Sequence, residues 1–142
     1  MENEKAEQGI FINGRKQIIE MLQYMDEAER KKLLKNIIAR NPIMGKELSE
    51  QSFSFNDLVH TSADSLRKIF SSFNPAIIGL ALHDTSSELQ RKVLSCIDRS
   101  KAESAFEVMN RNLSSKKAEC KRAQEKIINN VIQLSRRQQI VI

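Results

Sequence analysis

Tryptophan is absent from this 142-residue chain, tyrosine occurs once, and aromatic residues make up only 5%. A core must therefore come from Ile, Leu, Met and Val, which suits packed helices. Glycine (4) and proline (2) are scarce, which disfavours a turn-rich all-β sandwich. No run approaches the roughly 18 apolar residues of a membrane span. The N-terminal "MENEKAEQG" lacks the basic-then-apolar order of a secretion signal, so a cytoplasmic location is expected. Two cysteines, Cys96 and Cys120, do not make a disulfide framework; they read as small buried residues. Catalytic signals are equally thin. There is no Gly-rich phosphate loop, and His60 and His83 have no ligand-spaced partners. The Asp and Glu residues read as helix caps and exposed faces. No enzyme activity, metal or cofactor is expected.

What is present is helical pattern. Hydrophobic residues make up 40% and charged residues 29%, as in a soluble globular protein. Residues 1–13 read as a loose tail. Ile18, Leu22 and Met25 then share one helix face. Asp26 with Glu29 resembles a capping box and opens a helix striped by Leu33, Leu34, Ile37 and Ile38. Asn41–Pro42 ends it and starts a third helix, weakened by Gly45. Residues 14–51 thus form a three-helix module.

The stretch "FSFNDLV" breaks the pattern. Phe53 and Phe55 lie two apart and point the same way in an extended chain, while Asn56 can cap a turn holding Leu58 and Val59. Residues 52–60 read as a connector whose aromatics are mostly buried, followed by a helical module over 61–142. In that module Ser62 caps a helix with Leu66, Ile69, Phe70 and Phe73. Asn74–Pro75 opens "PAIIGLALH", apolar nearly all round and so central. Ser86 or Ser87 starts a helix carrying Leu89, Val93 and Ile97. Asp98 caps a helix whose inward side is Ala102, Ala105, Phe106 and Met109, leaving Arg99, Glu103, Glu107 and Arg111 toward the other side. A long last helix is striped by Ala123, Ile127, Val131 and Leu134, and "QQIVI" lies against a neighbour. The class is all-α, with stacked helices.

Net charge is +5, with part of the excess in "SSKKAECKRAQEKI". Such a segment can attract nucleic acid or simply form a solvated face. Glu119 and Glu125 interrupt it, and no aromatic is interleaved for base stacking. The residues alone describe a small basic all-α interaction module.

Several stretches together resemble the C-terminal region of the flagellar motor switch protein FliG family. These are "MLQYMDEAERKKLLKNIIARNPIMGKEL", "LALHDTSSELQRKVLSCI" and "RAQEKIINNVIQLSRRQQIVI". With them goes the match of Phe53, Phe55, Leu58 and Val59 to a Met-Phe-x-Phe-x-x-Leu-Val connector, with Ser52 in place of Met. The resemblance runs over residues 14–142. It implies an armadillo-like module joined by a hinge at Phe53, Phe55, Leu58 and Val59 to a C-terminal helical module. It implies a non-enzymatic role in motility and chemotaxis at the cytoplasmic side of the inner membrane. The implied partners are the rotor proteins FliG and FliM and the stator protein MotA.

The departures bear on that role. The family's stator-facing Lys falls on His83, its first Arg on Ser100, its acidic pair on Glu107 and Val108, and its second Arg on Lys116. Only Glu107 and Lys116 firmly keep their sign. Arg99 and Lys101 flank Ser100, each turned about 100° on a helix, and can partly substitute. The expected partner-binding set is Arg99, Lys101, Glu103, Glu107, Arg111 and Lys116. The chain also lacks the family's N-terminal and FliM-binding middle domains; a stand-alone paralogue or a fragment fits, and the leading Met slightly favours a natural short chain. A helical adaptor that lost the torque role and a basic nucleic-acid-binding module are the alternative functions.

Overall fold

Helix caps punctuate the chain in the computed structural model, which describes residues 14–142; the expected tail over 1–13 lies outside the described residues. The chain divides into two compact units, the first ending at Phe53 and the second running from Ser54 to Ile142. No β-strand occurs among the described residues.

In the first unit, helix α1 covers residues 14–24, α2 is Glu27–Arg40 and α3 is Pro42–Ser52. The Asp26 carboxylate accepts the Ala28 amide at 3.3 Å, and Asn41 Oδ1 accepts the Met44 amide at 3.2 Å with Pro42 at the first helical position. Each such cap is worth about 1 kcal/mol. Leu22 and Leu48 are fully buried, but α2 buries none of its residues completely, so its broad apolar stripe is only half-covered. Gly45, expected to weaken α3, has a packing role. A Cβ there would lie 2.5–2.8 Å from Ile38 side-chain and backbone atoms. The absence of a side chain lets α2 and α3 touch.

The second unit opens with a 3₁₀ helix, Phe55–His60, then α4 (Ala63–Phe70), α5 (Pro75–Leu82), α6 (Ser87–Cys96) and α7 (Arg99–Met109). A short 3₁₀ turn, Ser114–Lys116, leads into α8 (Lys117–Arg136). Ser62, Asn74 and Ser86 each accept a backbone amide three residues on. The apolar α5 packs against both α7 and α8, burying Ile78, Gly79, Ala81 and Leu82. Its last carbonyls, which have no partner inside the helix, are taken up by side chains. Thr85 and Gln90 donate to the Leu82 carbonyl at 2.7 and 2.9 Å, and Gln124 to that of Ala81 at 2.9 Å. Leu66, Ile69, Phe70, Leu89, Val93, Ile127 and Val131 complete the core. Ile140 is buried, and Lys68 donates to the Gln139 carbonyl at 3.2 Å, so the C-terminal tail is laid against α4.

Candidate partner-binding face on helix α7

The residues expected to form a connector fall in different places. Ser52 ends α3, and half-buried Phe53 closes the first unit. Phe55 is buried and Leu58 fully so, both within the first 3₁₀ helix, while Val59 is half-buried. Mostly buried aromatics were expected; this holds for Phe55 and only in part for Phe53. The turn is capped from Ser54 rather than Asn56. The Asp57 carboxylate accepts both the Ser54 amide at 2.7 Å and its hydroxyl at 3.1 Å. On the other side, Lys92 Nζ of α6 donates to the Val59 carbonyl at 2.6 Å. The Ser54–Asp57 cap closes the turn on itself, while buried Leu58 and the Lys92 bond fasten it to the second unit.

Helix α7 carries most of the expected partner-binding residues. Ala105 and Met109 are buried as expected. Phe106 is not: it is 50% exposed. The inward side turns toward Val108 instead, because α5 approaches there. A Cβ on Gly79 would lie 2.6 Å from both the Ala105 carbonyl oxygen and Val108 Cβ, so α5 and α7 meet at glycine contact distance. Val108, which stands where the resemblance puts an acid, is thus a packing residue. Phe106 turns to the flank and lines a groove of about 430 Å³ with Leu94, Ile97, Ala102, Arg99 and Glu103.

Arg99, Glu103, Glu107 and Arg111 are all exposed. Arg99 Nε donates to Glu103 Oε1 at 3.2 Å, one helical turn away. Both side chains are open to water, so the pair contributes only about 0.2–0.5 kcal/mol. No ion pair joins Glu107 or Arg111 among the described residues. Ser100 is exposed and uncharged. Lys101 is engaged elsewhere. Its Nζ donates to the Phe70 carbonyl at 2.9 Å and more weakly to that of Ser71 at 3.4 Å. A cation is favourable at that end of α4 because of the helix dipole. Lys116 is exposed in the second 3₁₀ turn, which buried Leu113 anchors.

His83 follows the last residue of α5 as its C-cap. Its Nδ1–H donates to the Met109 carbonyl at 2.9 Å, and its Nε2 lies 3.5 Å from the Asp84 carboxylate. Asp84 itself holds φ 62°, a left-handed conformation that Asp tolerates better than most residues. The ring therefore ties the ends of α5 and α7 together. The sequence carries the histidine, but nothing in it identifies the Met109 carbonyl, 26 residues on.

The cysteines are free and buried. Burial raises the Cys120 thiol pKa above its ordinary value, reinforced by the charges of Asp84 and Glu119. No group of His, Cys, Asp and Glu among the described residues can hold a metal ion, and none of their helices is long and apolar enough to cross a membrane. The arrangement is suited to contact through a charged helix face.

Residues 35–142 match the family described as the FliG C-terminal domain. The chain is 23% identical to the flagellar motor switch protein FliG of Aquifex aeolicus over 87% of its length. It is also 23% identical to that of Thermotoga maritima, over 92% of its length. It spans only 38% and 39% of those two relatives. Among solved structures it is similar to a FliG fragment from H. pylori, with a TM-score of 0.68 and 24% identity. That similarity covers 87% of this chain and 54% of the fragment. It extends the likeness to the helical fold.

Proposed function

Because the chain belongs to the FliG C-terminal domain family, we propose that it is a component or paralogue of the bacterial flagellar motor switch. It acts by protein–protein contacts in motility and chemotaxis, without catalysis. The observation that carries this is the outward presentation of Arg99, Glu103 and Glu107 on a helix locked to α5 by Ala105, Val108 and Met109, with exposed Arg111 just beyond its end. A rigid row of charges steers a partner and sets its register more than it tightens the complex. The partners are rotor proteins of the FliG and FliM type and the stator protein MotA, met at the cytoplasmic face of the inner membrane. The armadillo-like module over 14–51 and the module over 61–142 reorient about the 52–60 stretch. The hinge residues are Phe53, Phe55, Leu58 and Val59; the Lys92 bond to the Val59 carbonyl and the burial of Phe55 and Leu58 support a pivot toward the start of that stretch.

The stator contact is altered from the family's form. Ser100 is neutral, Val108 packs against α5, and Lys101 is bonded to α4. These three features favour a second reading, a helical adaptor that kept the fold without the torque role. Charge reversal separates the two. Glu107→Lys with Lys116→Glu, in a strain that depends on this protein, should impair swimming while leaving the melting temperature nearly unchanged. Normal swimming would support the adaptor instead.

A further inference from the structure

The basic stretch at the start of α8 has no part in the α7 face. On one side of that helix a groove of about 210 Å³ runs between α5 and α8, lined by Ile77, Leu80, Ala123, Glu119, Arg122 and Lys126. Its floor is apolar. Ile77 and Leu80 are each only half-covered, and "PAIIGLAL" gives α5 no charge of its own. Its rim is cationic. Arg122 and Lys126 are exposed one helical turn apart, and like charges at that spacing destabilise a helix. Among the described residues neither is ion-paired, although Glu119 lies at the same groove.

We propose that this α5–α8 groove docks an acidic amphipathic segment of a partner protein, which sets an aliphatic side chain on Ile77 and Leu80 and carboxylates against Arg122 and Lys126. The proposal goes beyond the motor-switch reading and stands without it. The charge complementarity rests on this lining: the floor rewards an apolar anchor, and the two rim cations outnumber the single carboxylate of Glu119, with which neither is ion-paired. A nucleic acid fits less well. Helix α8 carries no aromatic residue for base stacking, and an apolar floor offers nothing to phosphates.

The test uses the full chain and labelled helical peptides of about 15 residues. One peptide carries Leu on one face flanked by Glu, a second has Gln for Glu, and a third has Lys for Glu. A single-stranded oligonucleotide is the fourth probe. Fluorescence anisotropy should show the Leu/Glu peptide binding at least about tenfold more tightly than the Gln peptide, and weakening as salt rises. Arg122→Glu with Lys126→Glu should abolish that preference, Ile77→Ala should weaken binding to both neutral and acidic peptides, and Lys35→Gln, at an exposed position of α2, should change nothing. Circular dichroism confirms that each variant remains folded. Equal affinity for the Gln peptide, no binding of the Leu/Glu peptide, indifference to the double reversal, or tighter binding of the oligonucleotide would each overturn the proposal. The last would identify a nucleic-acid surface instead.

Discussion

Replacing Gly79 by alanine probes the contact that orients the α7 face. Glycine inside a helix normally costs about 1 kcal/mol relative to alanine, so on propensity alone the change should stabilise α5. The packing opposes this. The new methyl would sit 2.6 Å from the Ala105 carbonyl oxygen and 2.6 Å from Val108 Cβ. Val108 can adjust, but a helix carbonyl cannot rotate away, so α7 must move off α5. Overpacking of this kind costs about 1–3 kcal/mol, and the involvement of backbone puts this case toward the upper end. After the propensity gain, a net loss of about 1–2 kcal/mol remains. For a unit the size of Ser54–Ile142 each kcal/mol shifts the midpoint by about 4–8 °C, so a fall of roughly 5–15 °C is expected in a thermal melt followed by circular dichroism. Gly14, which has nothing within 4 Å of the position its Cβ would take, provides the comparison: Gly14→Ala should leave the melt unchanged or raise it. A Gly79→Ala protein as stable as its parent would refute the close α5–α7 approach, and with it the explanation for exposed Phe106.

Phe55→Ala should cost about 3–5 kcal/mol because the ring is buried, and Phe53→Ala distinctly less; melts with equal shifts would contradict the different burial of the two rings. Lys101→Gln should lower the melting temperature by removing a charged donor from the Phe70 carbonyl, a bond of roughly 1.5–3 kcal/mol before allowance for its partial exposure, whereas Arg99→Gln should be nearly neutral; the reverse order would return Lys101 to the partner-facing set. The raised Cys120 pKa gives a pH dependence. The folded state holds the thiol proton more tightly than the unfolded chain, so its contribution to stability is complete below the ordinary thiol pKa and is lost as pH rises through that value toward the folded one. Denaturant titrations at several alkaline pH values should show a smaller decline in Cys120→Ala than in the parent, and identical declines would show that the thiol plays no part.

The helical class, the order of the helices and most of their starting points follow from local chemistry. Asp26, Asn41, Ser62, Asn74 and Ser86 cap where they stand because a cap bond reaches only two or three residues along the chain. The same locality let the apolar run at Pro75–Leu82 be read as a central helix. The candidate face was legible in part: Arg99, Glu103 and Glu107 point outward because Ala105 and Met109 point in, while Arg111, expected on the same helix, is exposed just past its end at Met109. Which neighbours complete the inward side was not a local matter. Phe106 and Val108 flank the Ala105–Met109 stripe on opposite edges, and the larger ring looks like the better core residue. The approach of α5, made possible by Gly79, covers Val108 and leaves Phe106 at the groove. Lys101, Lys92 and His83 were equally undetermined, since each donates to a backbone carbonyl 26 to 33 residues away. A carbonyl acceptor has no side-chain signature in sequence, so only the packing of one helix end against another could turn those three polar side chains into ties within the fold.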